Sequence, residues 1–324
     1  MKYTILPGTD LNISRVALGT LFIGGVDETE AVSAIHYSLD QGVNMIDTAE
    51  GYGRGNTEEM IGRAIAGRRD KVIIATKGGL DWGQHADKAP RSTEQHISMA
   101  GKRVDSFRNS NPAWITASID SSLRRLKTDY IDLYQIHYPN TTTPWEDTIA
   151  ALEKAKAAGK IRYYGLSNFS VQQMQEWLKH GPIYSMQPPY NMLDRGIEEE
   201  ILPFCRKSGI GILTYGSLGH GLLSGKFNIE THPQDSRKEL KVFKGDAYAK
   251  NIAIVDKLKG FALSKEITIA QLAIAWVLAQ PGITSALVGA KRPDQVKDNV
   301  KAAECFLSTE DLEHISTILN FKSS

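Results

Sequence analysis

The sequence predicts a single (β/α)8 TIM barrel over residues 1–324, entered through a short N-terminal β-hairpin. Three observations predict it. Short apolar runs alternate eight times with stretches of helical spacing, and runs apolar throughout fit parallel strands covered by helices. Eight repeats in ~250 residues plus insertions suit a closed barrel better than an open doubly wound sheet. Nearly every run also stops on a polar residue, and the chemistry of such barrels sits at the C-terminal strand ends.

Composition sets the outer bounds. The chain is 41% hydrophobic and 23% charged, ordinary globular values. A net charge of +1 gives no reason to expect nucleic acid or an anionic membrane as partner. Cys205 and Cys305 are too few for a disulfide framework and suit a reducing compartment. Residues 1–8 lack the apolar segment of a signal peptide. No run approaches ~18 apolar residues, the length of a membrane span. The expected location is the cytoplasm. No Pro/Gly linker divides the chain.

The elements follow in order. Residues 2–13 form a hairpin turning at Pro7-Gly8-Thr9-Asp10. Strands are expected at 15–18, 43–46, 71–76, 130–136, 161–166, 183–186, 210–214 and 285–288. Helices are expected at 29–40, 58–66, 113–126, 145–158, 171–179 and 198–207, then 252–263, 269–279, 294–303 and 309–319. Gly42 and Gly159 stop two of them. Two stretches break the rhythm, 80–111 and 228–248. Both read as long loops on the catalytic side, the kind that shapes a pocket. Trp82, His85, Trp114 and Tyr138 are candidates to line it, whereas Trp276 lies in an apolar helix and belongs to the core.

The strand ends carry Thr20, Asp47, Lys77, His137, Ser167-Asn168, Gln187, Tyr215 and Gly289-Ala290-Lys291-Arg292. An aspartate closing the apolar run 43–46 is a poor packing choice, because an unpaired buried carboxylate is costly. Tyr52 follows it by five residues. A metal hydrolase would want several His, Asp or Cys ligands converging, and no such set is present, so no metal is expected. A Schiff-base role for Lys77 is opposed by an adjacent acid that would keep it protonated. Gly165-Leu166-Ser167-Asn168-Phe169 is not a nucleophile elbow. The combination that coheres is a tyrosine beside a lysine held by an aspartate. A neighbouring ammonium favours ionisation of a phenol whose reference pKa is ~10. A histidine opposite is placed to hydrogen-bond a carbonyl. Such a site protonates a carbonyl oxygen and needs a hydride source, a nicotinamide cofactor.

Asp47-Thr48-Ala49-x-x-Tyr52-Gly53, Ala75-Thr76-Lys77 and Tyr130-Ile131-Asp132-Leu133-Tyr134-Gln135-Ile136-His137 resemble the catalytic segments of the aldo-keto reductase superfamily. Gly165 to Phe169 and Gly289-Ala290-Lys291-Arg292-Pro293-x-Gln295-x-x-x-Asn299 resemble its cofactor segments. Gln187-Pro188-Pro189-Tyr190-Asn191 and the segment from Tyr215 to Lys226 resemble the bacterial general-stress-type branch. The resemblance implies the tetrad Asp47, Tyr52 (proton donor), Lys77 and His137. It also implies that Ser167, Asn168 and Gln187 hold the nicotinamide carboxamide, that Tyr215 stacks on the ring, and that Gly216, Ser217 and Leu218 line the pyrophosphate. Thr20, Leu21, Asp47, Lys226, Gly289, Lys291, Arg292, Gln295 and Asn299 complete the implied cofactor set. Many relatives carry Ser-Pro where this chain has Gly216-Ser217, and His220 is given no role.

Lys291 and Arg292 stand just before a helix N-terminus, a setting that suits a phosphate. NADP(H) is therefore the expected cofactor. The expected function is reduction of aldehyde or ketone carbonyls to alcohols, or the reverse, on a small-molecule substrate. The rival of another class is a nucleotide-binding regulatory subunit, as the channel-associated members of the superfamily are. The tetrad is retained in those members too.

Overall fold

The eight expected strands close into one parallel barrel. The computed structural model describes residues 1–85, 87–97 and 103–320. The hairpin is β1 (Tyr3–Ile5) and β2 (Asn12–Ser14), and β3 (Val16–Gly19), β4 (Met45–Asp47) and β5 (Ile73–Gly78) begin the barrel. After them β6 (Leu80–Asp81), β7 (Gln95–Ile97) and β8 (Arg103–Arg108) form a separate antiparallel sheet in the order β6-β8-β7. The barrel resumes with β9 (Ile131–Ile136), β10 (Ile161–Ser167), β11 (Ser185–Gln187), β12 (Gly211–Tyr215) and β13 (Ile283–Gly289), and β13 pairs with β3 to close it. The helices around it are α1 (Glu28–Asp40), α2 (Asn56–Ala64), α3 (Pro112–Leu126), α4 (Trp145–Ala157) and α5 (Val171–Trp177), then α6 (Ile201–Ser208), α7 (Gly245–Ser264), α8 (Ile269–Ala279), α9 (Pro293–Lys301) and α10 (Thr309–Leu319).

Helix starts are written locally. Asn111 caps α3 with Pro112 at its first turn, and Ser170, Thr268 and Ser308 open α5, α8 and α10 with reciprocal capping boxes. Two expectations need correction. Residues 80–111 are not one long loop, because three short strands pair there. These pairs are antiparallel, and their short, largely polar strands lack the apolar run that marks a barrel strand. In 228–248 the chain makes two 3-10 turns and then enters α7 at Gly245, seven residues before the expected start at 252. The polar first turns of α7 carry no apolar signal.

Strand parity divides the core. Ala17, Met45, Ala75, Leu133, Leu213 and Leu287 face the lumen, and Leu6, Leu11 and Ile13 of the hairpin join them to plug its N-terminal end. Residues of opposite parity, such as Val16, Leu18, Ile46, Ile74 and Tyr134, pack outward against the helices. Side chains alternate with period two along a strand. The residues two beyond Met45, Ala75, Leu133 and Leu213 therefore also face inward, at the C-terminal mouth: Asp47, Lys77, Gln135 and Tyr215. Trp276 is 3% exposed and packs against Tyr190 with ring centroids 5.3 Å apart, as expected of a core residue.

Gly62 marks the crossing of α2 on α3, where a Cβ would stand 2.6 Å from the carbonyl oxygen of Arg125. Gly62→Ala is expected to lower stability by about 1–3 kcal/mol, since overpacking against backbone exceeds the ~1 kcal/mol that alanine gains in helix propensity. Urea unfolding checks this, and a variant as stable as the parent would mean that the helices separate at no cost.

Candidate active site

Lys77 organises the mouth of the barrel. Its Nζ donates to Asp47 Oδ2 at 2.7 Å, to the carbonyl oxygen of Thr48 at 2.8 Å and to the Tyr52 hydroxyl at 3.3 Å. An ammonium has three N–H groups, and all three are used. Lys77 is 1% exposed and Asp47 3%, so each charge is tolerable only because the other is there. Asp47 Oδ1 in turn accepts from Gln187 Nε2 at 2.9 Å. Tyr52 enters from a 3-10 turn, Tyr52–Gly55, in which Gly53 and Arg54 take positive φ. Its ring meets His137 edge-on, with centroids 6.0 Å apart.

Burial sets the protonation states. It pushes the Tyr52 hydroxyl well above its ordinary value, and the Asp47 carboxylate adds to the rise. The expectation of a phenol drawn toward ionisation by Lys77 is therefore corrected. At neutral pH Tyr52 carries its proton. Burial, then Lys77 and His96, hold His137 well below the usual imidazole range, so its ring is neutral. For Asp47, burial pushes the carboxyl up while Lys77 and the donated hydrogen bonds pull it back.

The residues expected around the nicotinamide form one ladder. Tyr215 donates its hydroxyl to Asn168 Oδ1 at 2.8 Å, and Asn168 Nδ2 donates to the carbonyl oxygen of His137 and to Ser167 Oγ, both at 3.0 Å. Asn168 takes φ +64°, a left-handed conformation that asparagine tolerates better than most residues. Ser167 Oγ donates to the backbone of Gln187 at 2.9 Å, and the Thr20 hydroxyl to that of Asp47 at 2.8 Å. Leu21 is exposed at 45%.

A second group gathers beyond β12. Gly216, Gly219, Gly221 and Gly225 all have positive φ, and Ser217 Oγ is buried without a partner. Leu218 caps the 3-10 turn Gly219–Ser224. A Cβ on Gly221 would lie 3.1 Å from Arg237 and 3.2 Å from Lys226, so the turn nests between two cations. Burial, Arg237 and Lys291 lower the Lys226 ammonium, and among the described residues Lys226 makes no ion pair. Lys291 lies over the Phe22 ring, and its backbone N–H donates to Gln295 Oε1 at 2.8 Å. Asn299 Nδ2 donates to Gly289 at 3.4 Å. Arg292 is paired with Asp294 at 3.1 Å. Two ammoniums without an ion pair among the described residues, Lys226 and Lys291, together with an orphaned hydroxyl and open glycine backbone fit the phosphates of a dinucleotide.

Sequence reading missed Arg237, whose guanidinium donates to the carbonyl of His220 at 3.0 Å and pairs with Asp235. It lies in 228–248, where no periodicity flagged it. Of the expected pocket residues, Trp114 is 0% exposed and His85 3%, packed on each other with centroids 4.9 Å apart, so they belong to the wall. Tyr138 does reach the site, stacked on His137 at 4.8 Å and meeting His96 at a tilt at 4.4 Å. The β6-β8-β7 sheet contributes His96 and Arg108 there, the latter over the Tyr138 ring.

Known proteins agree with this architecture. The family model described as the aldo/keto reductase family matches residues 15–320. An aldo-keto reductase of Bacillus subtilis, YhdN, is 38% identical over 98% of this chain and 94% of its own. An NADH-specific methylglyoxal reductase of Escherichia coli is 35% identical over 96% of both chains. The solved structure of a glycerol dehydrogenase from Gluconobacter oxydans superposes with a TM-score of 0.86 at 37% identity, covering 98% of this chain and 94% of that one.

The two wall histidines predict an acid limb in stability. Burial pushes both His85 and His96 down from 6.5 to about 4. Between those values the unfolded chain binds protons that the folded chain refuses, so stability falls as pH drops from about 6.5 toward 4. Chemical denaturation across that range is expected to give a shallower slope for His85→Gln and for His96→Gln. Slopes equal to that of the parent would mean that other groups carry the effect.

Proposed function

The chain belongs to the aldo/keto reductase family, and from that premise we propose that it is an NADP(H)-dependent oxidoreductase that interconverts carbonyls and alcohols, with Tyr52 as proton donor. The observation that carries the reading is the Tyr52 hydroxyl held 3.3 Å from a buried Lys77 that is ion-paired with Asp47 at 2.7 Å. When bound, the nicotinamide supplies the hydride to the carbonyl carbon.

The chain's own residues handle the proton. Tyr52, protonated because it is buried, passes its proton to the carbonyl oxygen as negative charge develops there. Lys77 stabilises the phenolate left behind, and Asp47 fixes the ammonium in place. His137, neutral, contributes an N–H to the same oxygen and orients the substrate. In the direction of alcohol oxidation the same groups run in reverse.

Ser167, Asn168 and Gln187 would hold the carboxamide and Tyr215 the ring face, while Ser217, Lys226 and Arg237 would take the pyrophosphate. Lys291 and Arg292 at the start of α9 would bind the 2′-phosphate, which favours NADPH. The Escherichia coli relative is NADH-specific by name, so this preference rests on the basic pair of this chain. The relatives named for methylglyoxal and glycerol support small, oxygen-rich substrates.

Turnover followed by loss of nicotinamide absorbance tests the reading. The parent is expected to oxidise NADPH with small aldehydes, and Tyr52→Phe to lose about 10²–10⁴-fold in kcat, the usual worth of a general acid. Lys291→Ala/Arg292→Ala should weaken NADPH by at least about tenfold and leave NADH nearly unchanged. A Tyr52→Phe protein with full activity would remove the tyrosine from its role. Failure to bind any nicotinamide would overturn the reading entirely.

A further inference from the structure

Two carboxylates three residues apart leave the end of β4 for opposite sides of the barrel wall. Asp47 faces the lumen, whereas Glu50, 0% exposed, is buried behind the wall among α2, α3 and β9. Glu50 joins the two segments that carry Tyr52 and Lys77. Its backbone N–H donates to the carbonyl of Lys77 at 3.0 Å, and its Oε1 accepts from the N–H groups of Gly79 at 2.9 Å and Leu80 at 3.3 Å. Tyr52 follows two residues later. The 3.3 Å contact between Tyr52 and Lys77 thus spans two segments bridged at their ends by one glutamate.

The surroundings of Glu50 are charged on several sides. Glu58 faces it from α2, Arg125 and Ser118 from α3, and Tyr134 from β9. A Cβ on Gly78 would lie 1.7 Å from the Tyr134 hydroxyl oxygen and 3.3 Å from Glu50 Oε1. Only glycine there lets phenol and carboxylate approach behind the Lys77 strand. The Arg125 guanidinium is turned toward Glu58, with Nε donating to Oε2 at 2.7 Å and Nη2 ion-paired to it at 2.7 Å, while Nη2 also donates to Ser122 Oγ at 3.4 Å. Glu50 Oε2 and the Tyr134 hydroxyl have no hydrogen-bond partner.

We propose that Glu50 is a positioning residue for the carbonyl chemistry: its carboxylate clamps the turn bearing Tyr52 to the strand end bearing Lys77, and the clamp slackens when that carboxylate takes up a proton. The inference rests on the reductase reading above. A neutral acid is a weaker acceptor of N–H groups than a carboxylate, and a small misplacement of reacting groups costs up to about a hundredfold in rate. Burial raises the Glu50 carboxyl to about 7, Arg125 opposing and Glu58 adding to the rise. Tyr52 and His137 are displaced away from neutrality in opposite directions, whereas Glu50 is brought to about 7.

Glu50→Gln keeps the shape and one acceptor oxygen while removing the charge. At about pH 8, above the Glu50 value of about 7, the variant is expected to lose at least about tenfold in kcat with an unchanged KM for NADPH. The parent's kcat should fall below about pH 7, and the variant's should stay flat there. Arg125→Gln should move the parent's limb to higher pH, because the charge opposing the rise is gone. Amide hydrogen exchange at Gly79 and Leu80, read without any turnover, should be faster in Glu50→Gln than in the parent. An unchanged kcat, an acid limb retained in Glu50→Gln, or equal protection of the two amides would overturn the proposal. If neither protein reduces any carbonyl, the reductase reading falls, and the exchange comparison still decides whether the clamp exists.

Discussion

A lysine and an aspartate buried together at the mouth of the barrel impose most of what surrounds them. Desolvating two charges costs several kcal/mol per ion, and their attraction offsets that cost only when every remaining donor and acceptor is met. Hence the third bond from Lys77 to the Thr48 carbonyl, and the amide of Gln187 on the other oxygen of Asp47. The one contact of Lys77 that is not needed to hold the pair together is the one to Tyr52. The site uses an ion pair that is costly for stability to keep a cation beside a phenol.

The barrel makes this geometry available. In a parallel barrel the register of neighbouring strands brings Asp47 beside Ala75, and the period of two puts Lys77 on the same inner face one step higher. The hairpin closes the opposite end with Leu6, Leu11 and Ile13, so polar groups converge at one mouth only. The wall is polar on its outer side as well. Glu58 receives Thr76 and Arg125 there, directly behind the strand that carries Lys77.

Two insertions convert a general barrel into a particular pocket. The β6-β8-β7 sheet is pinned to the loop after β9, where Glu94 Oε2 accepts from Asn140 and from Thr141, both at 2.8 Å. That anchorage presents His96 and Arg108 to Tyr138 beside His137. The second insertion brings Arg237 to the glycine turn that already holds Lys226. One insertion packs beside His137, the other beside the glycine turn after β12.

By itself the sequence determined the fold class and the strand order, and it singled out Asp47, Tyr52, Lys77 and His137, which the fold brings together. Those follow from local information: apolar runs, the residue that ends each run, and caps such as Asn111 and Ser170. It did not determine the paired strands inside 80–111, because strands of two to six mostly polar residues leave no periodic trace. Nor did it reveal Arg237, which is distant in sequence from the glycines it serves. The charge state of Tyr52 was decided by tertiary structure alone. From sequence the nearby lysine suggests an acidified phenol, whereas full burial next to the Asp47 carboxylate pushes the hydroxyl the other way. Desolvation depends on everything that surrounds a group, and only the assembled barrel supplies that.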